Sequence, residues 1–141
     1  MSPRRAATSQ KAAAARFADT YASAATDVFA AVQREVFGAD TFVSGYTTVA
    51  QAELLADRLN LAPGDRLLDL GAGLGWPALH LVEKTGCRAV LTDVLEPGLR
   101  GAVRRARRQR IGRRCAFVMA GADHLPFRAA AFDAVTHTDA L

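Results

Sequence analysis

Residues 67–75 read LLDLGAGLG: an apolar run stops at Asp69, and glycines then occupy positions 71, 73 and 75. The turn sequence PGD at 63–65 comes first, so Arg66–Leu70 reads as a short apolar strand of the kind buried in a parallel sheet. Pro77 suits the first turn of a helix, which runs through Leu79, Leu81 and Val82 to a stop at Gly86. A turn from strand to helix gathers free backbone N–H groups and the positive end of the helix dipole above the strand's carboxyl end, which makes it a nucleotide site. Gly71 and Gly73 let the backbone turn sharply and approach a ligand where a Cβ would clash.

The spacing narrows the choice of nucleotide. A dinucleotide loop is GxGxxG, with a third glycine for close helix packing and a pyrophosphate on the helix N-terminus. Here that third position is Trp76, and the pattern is instead Asp69-x-Gly71-x-Gly73-x-Gly75. An acid ahead of the glycines repels a pyrophosphate and attracts a cationic amino-acid group.

Working outward, RAVLTDV at 88–94 is the next strand, and LRGAVRRARRQRI is a helix with Leu99, Ala102, Val103 and Ala106 on one face and Gly112 at its end. A third strand fits Cys115–Met119, and a loop containing LPF leads to a fourth at Phe132–His137. Strands alternating with helices imply an α/β fold with a Rossmann-like parallel sheet. On the N-terminal side, residues 1–9 read as a basic tail and Ser9–Phe37 as a helix with Phe17, Tyr21, Ala24, Ala25, Val28, Val32 and Phe37 near one stripe. Thr48 can cap a further helix over Val49–Asn60, with Leu54, Leu55 and Leu59 inward. Residues 1–60 thus form a tail and helical cap segment, and residues 61–141 a nucleotide-binding half-domain.

Composition bounds the function without giving it. A chain of 141 residues, half of them hydrophobic, fits one domain with one core. No apolar run reaches the 18 or so residues of a membrane span, and Cys87 and Cys115 show neither a disulfide framework nor a zinc spacing. A soluble protein in the cytoplasm, with no metal, is the expectation. The Arg- and Ala-rich opening is shared with organellar transit peptides, but the same bias runs through the whole chain. The formal net charge is +4, and eight arginines fall between Arg100 and Arg114 with no aromatic residues among them. A solvated outer helix face accounts for them better than an RNA contact.

LLDLGAGLG resembles the first signature, D/ExGxGxG, of the class I, seven-strand S-adenosylmethionine-dependent methyltransferases, and matches it in full. Asp93 closing LTDV, Asp123 in AGADHLPF and FDAV at 132–135 also fit that family's pattern, over a resemblance from Thr41 to Leu141. The resemblance implies S-adenosylmethionine as cofactor. Asp69 and the loop of Gly71, Ala72, Gly73 and Gly75 would then hold its methionine part, and Asp93, with Val94 beside it, the ribose hydroxyls. Ala122, Asp123 and His124 would lie at the adenine edge, and His137 near the methionine end. A carboxylate at a strand's carboxyl end accepts two vicinal hydroxyl protons, which supports the Asp93 role on chemistry alone.

The implied activity is methyl transfer to a small-molecule acceptor, with His137, Asp139 and Tyr46 as candidates to contact or deprotonate it. Tyr21 and Phe42 lie in the segment that would cover the acceptor. The family's sheet has seven strands and this chain reaches four, so the expectation is a fragment or incomplete domain. Phe132–Thr136 would then form an open edge suited to self-association. The alternative is a non-catalytic binding or interaction module that retains the nucleotide half.

Overall fold

A computed structural model of the chain describes residues 15–17, 19–21, 26–37 and 45–138. In chain order the elements are α1 (Asp27–Phe37), α2 (Val49–Leu59), β1 (Arg66–Leu70), α3 (Ala78–Thr85), β2 (Arg88–Asp93), α4 (Glu96–Arg108), β3 (Cys115–Met119) and β4 (Ala134–His137). The four strands form one parallel sheet in the order β3-β2-β1-β4. The expected Rossmann-like α/β architecture is therefore present.

β1 is central and its inner residues Leu67, Leu68 and Asp69 are all buried, as a strand covered on both faces requires. Its start is clipped to β4 by two bonds, from Arg66 N–H to Asp133 Oδ2 and from Asp133 N–H to the Arg66 carbonyl, each 2.8 Å. The core lies between sheet and helices and includes Leu67, Leu79, Leu81, Val82, Leu91 and Ala102. Truncating one such leucine to alanine costs about 2–5 kcal/mol.

Helix boundaries follow their local chemistry. Thr48 caps α2 in a reciprocal box, accepting from Gln51 N–H at 3.2 Å while its own N–H donates to the Gln51 side chain at 2.8 Å. Asn60 ends α2 and Gly86 ends α3, both in the left-handed region that stops a helix. The inward face of α2 is Ala52 and Ala56, with Leu55 and Leu59 partly buried, and the expected inward Leu54 is exposed. Small residues let α2 approach α3 closely, while Glu53 reaches across to His80 and Lys84.

The long N-terminal helix is interrupted. Residues 15–17 and 19–21 are helical, Thr26 is a bend, and α1 starts after it. Of the stripe read from sequence, Phe17, Val28 and Val32 are exposed, while Tyr21 packs on Leu74 together with Phe29, and Gln33 is buried. Residues 1–14, Ala24, Ala25, Phe42 and Asp139 lie outside the described residues.

α4 buries Leu99, Ala102 and Ala106 as expected, but Gly98, Gly101 and Arg105 share that face. It ends at Arg108, with Arg110 left-handed at φ +58°, so Gly112 opens a 3₁₀ turn over Gly112–Arg114 rather than closing the helix. β4 begins at Ala134 rather than at the expected Phe132, whose ring meets Phe127 edge-on with centroids 5.1 Å apart.

Candidate functional site

The loop after β1 has Gly71, Gly73 and Gly75 at φ of +68°, +50° and +88°, all in the region that a side chain disfavours. Its glycines divide the work. A Cβ on Gly75 would come 2.7 Å from Leu79 Cδ1 and 3.2 Å from Ala102 Cβ, so this glycine lets α3 and α4 close against the loop. A Cβ on Gly73 would stand 2.7 Å from the Tyr21 hydroxyl.

The neighbouring strand holds this loop in place. Ala72 N–H donates to the Thr92 carbonyl at 2.9 Å, and Gly73 N–H donates to Asp93 Oδ2 at 2.7 Å. Asp93 Oδ1 accepts from Leu95 N–H at 2.8 Å. Asp93 is only 6 % exposed, yet a carboxylate has about four acceptor positions and these bonds take two.

Asp69 sits beneath the loop, 1 % exposed. Its Oδ1 accepts from the Thr136 hydroxyl at 2.7 Å, its register partner on β4, while its Oδ2 is buried with no hydrogen-bond partner. Burial raises its carboxyl to about 7, against the hydrogen bond from Thr136, and the Asp93 charge adds to the rise. Near neutral pH this group is poised between its acid and its anion. An arriving cation would hold it ionised.

Tyr21 lies on the glycine loop and against Gly98, where a Cβ would be 3.0 Å from its ring. Burial pushes its hydroxyl up to about 12, with the Asp93 charge contributing. Trp76 is packed in the interior, 4 % exposed, and its Nε1 donates to the Thr47 carbonyl at 2.7 Å, tying the segment before α2 to the loop.

The adenine-edge candidates gather beside the end of β2. A Cβ on Gly121 would be 2.5 Å from Asp123 Oδ1 and 3.6 Å from Val94 Cγ1, so Val94 and Asp123 flank one small space. Asp123 and His124 are exposed and pair with each other at 3.3 Å, which lowers the Asp123 carboxyl. Ala122 beside them is also exposed. His137 pairs with Leu70 in register at the end of β4 and is exposed, and Tyr46 is exposed near Thr138 in a groove along α2. His137 and the loop thus meet at one end of the sheet.

Arg105 was not singled out by sequence. Read as one of a solvated run, it is instead 5 % exposed, and its Nη1 donates to the Leu74 carbonyl at 2.8 Å. Burial pulls its guanidinium down to about 9, helped by Arg108 and opposed by Glu83, which leaves it charged at neutral pH. The available signal was its place three and four residues beyond Ala102 and Gly101, on the apolar stripe of α4.

A family model described as a methyltransferase domain matches residues 67–141, more than half of the chain. The chain is 36% identical over 83 residues to the methyltransferase GfsG of Streptomyces halstedii, covering 59% of this chain and 30% of that one. It is 30% identical over 121 residues to the sterol 24-C-methyltransferase erg6 of Schizosaccharomyces pombe, covering 83% and 32%. Among solved structures it resembles geranyl diphosphate C-methyltransferase from Streptomyces coelicolor, a complex with magnesium, geranyl diphosphate and S-adenosylhomocysteine. The TM-score is 0.58 at 30% identity, over 62% of this chain and 33% of that one. The chain spans about a third of the length of the curated relatives it matches.

Proposed function

The chain belongs to the methyltransferase-domain family, and from that premise we propose that it binds S-adenosylmethionine and serves methyl transfer to a small-molecule acceptor. The observation that carries the reading is the buried Asp93 carboxylate at the end of β2, bonded to the N–H of a left-handed Gly73 and retaining acceptor positions. That carboxylate would receive the ribose hydroxyls, with Val94 beside it.

The remaining residues fit the same ligand. Gly71 and Gly73 turn the backbone at positive φ without a Cβ, with Ala72 between them and Gly75 closing the turn, so a methionine chain can lie along the loop from its exposed Gly71 end. Asp69 Oδ2, buried without a partner, is the acceptor that an ammonium group would use. Asp123, with Ala122 and His124 at its sides, would meet the adenine amino group next to Val94 and Gly121.

The cofactor, when bound, supplies an electrophilic methyl group on a sulfonium. The chain's contribution is to hold that methyl in line with an acceptor, and alignment of this kind supplies several kcal/mol of barrier lowering. His137, exposed at the end of β4, is the proposed acceptor-side base, with Tyr46 and Asp139 as further candidates. The sterol and geranyl diphosphate named for the relatives support a small, largely apolar acceptor. Among the described residues no helix is long and apolar enough to cross a membrane, and the free Cys87 and Cys115 fit a reducing cytoplasmic compartment.

Calorimetric titration of the chain with S-adenosylhomocysteine, run beside NAD, tests the cofactor. Saturable binding of the first and none of the second is expected, and the reverse would overturn the reading. Transfer of labelled methyl groups to a panel of prenyl, sterol and polyketide alcohols then tests the acceptor class.

A further inference from the structure

Two peptide groups of the glycine loop line up between a buried cation and a buried anion. Arg105 Nη1 donates to the Leu74 carbonyl at 2.8 Å. The N–H of that same peptide unit, on Gly75, donates to the Ala72 carbonyl at 2.7 Å. The N–H of the next unit, on Gly73, donates to Asp93 Oδ2 at 2.7 Å. Each carbonyl points toward the guanidinium and each N–H toward the carboxylate, so both peptide dipoles are aligned with the field of the two charges.

We propose that Arg105 is a positioning residue for the cofactor site, acting through this relay of two peptide units to fix the loop and the orientation of Asp93. The claim rests on the assignment of Asp93 to the cofactor.

Three features set this arginine apart from a surface member of its run. It is buried at 5 % exposure, on the side of the loop opposite Asp93 in the hydrogen-bond order. α4 comes close enough for this reach because Gly98 and Gly101 carry no Cβ. One on Gly98 would lie 3.2 Å from the Gly73 backbone, and one on Gly101 would lie 2.4 Å from Leu74 Cδ2. The buried Leu74 carbonyl, turned toward α4, also needs a donor that the loop itself does not provide. Hydrogen bonds in series polarise one another, so removing the cation at one end weakens the bond at the other.

The test uses the full 141-residue chain, ligand-free and with S-adenosylhomocysteine. In Arg105→Met the Gly75 and Gly73 amide protons are expected to move upfield and to exchange at least about tenfold faster, while the sheet-ladder amides of Leu68 and Val90 keep their rates. The affinity for S-adenosylhomocysteine is expected to fall about tenfold, the size of one charge-assisted bond. Arg105→Lys, which keeps the charge and a donor, is expected to recover most of both effects. If Arg105→Met does not fold, Arg105→Lys and Arg105→Gln decide, with the larger loop effect expected in Arg105→Gln.

Equal acceleration of loop and ladder amides would overturn the relay and leave Arg105 a packing residue. So would an unmoved Gly73 amide. Because the amide readout is taken without ligand, a chain that never binds S-adenosylhomocysteine would sink the cofactor reading while the relay is still decided.

Discussion

Thr136 and Asp69 stand side by side on neighbouring strands, and the threonine hydroxyl donates to only one of the two carboxylate oxygens, leaving the other buried and unpartnered. With its carboxyl raised to about 7, Asp69 is proton-bound in the folded chain at pH values where the unfolded chain has lost the proton. The stability this proton provides is complete below about pH 4 and is lost as pH rises toward 7. Asp69→Asn is expected to flatten that loss, which is on the order of 2–4 kcal/mol, as read by urea unfolding at pH 5 and pH 8. Binding of S-adenosylhomocysteine, whose ammonium favours the ionised form, should release a proton near pH 6.5. The calorimetric enthalpy would then depend on the buffer in the parent and not in Asp69→Asn.

Asp93→Ala removes the proposed ribose acceptor and also strands two backbone donors, Gly73 N–H and Leu95 N–H. Binding of S-adenosylhomocysteine should weaken by about 1.5–3 kcal/mol, and folding stability should drop by about 1–3 kcal/mol as well. Sequence alone gives only the first of these effects. A lower affinity with an unchanged melting temperature would mean that the carboxylate does not anchor the loop.

At Gly73 two penalties can be separated. Gly73→Val meets both the +50° φ and the Tyr21 hydroxyl, and should abolish binding while lowering stability by about 1–2 kcal/mol or more. In a Gly73→Ala, Tyr21→Ala pair the clash is relieved and the backbone strain stays. A double-mutant cycle in stability should therefore show partial rescue, and none at all would place Tyr21 away from the loop in solution.

Val135, exposed on β4 at the open side of the described sheet, offers a test of self-association. Val135→Lys is expected to reduce concentration-dependent assembly, because a charged side chain on an edge strand opposes pairing with another chain. Sedimentation at several concentrations checks this, with identical profiles for the two proteins counting against edge pairing.

What was legible in the sequence was whatever the backbone itself dictates. The apolar run of β1, the glycine spacing and the acid closing β2 are local signals, and each lies where its pattern placed it. Side-chain direction was harder. Leu54 reads as core on a helical wheel, yet Ala52 and Ala56 are the inward pair, because the distance between α2 and α3 is set by the smallest residues at the contact. Arg105 reads as solvent-facing by residue type, and only the loop carbonyl it meets, 31 residues away, gives it a reason to be inside. The Phe17–Val28–Val32 stripe fails for the same reason: periodicity names a face but not the partner that covers it.

The indole bond to the Thr47 carbonyl turns the chain's single tryptophan into an optical gauge. Trp76 follows the last loop glycine directly, has the His80 ring 5.5 Å away and is shielded from water, so its emission should be blue-shifted and sensitive to any release of the segment before α2. Ligand arrival at the loop can then be followed in stopped flow without a label, and at a wavelength that no other residue of this protein shares.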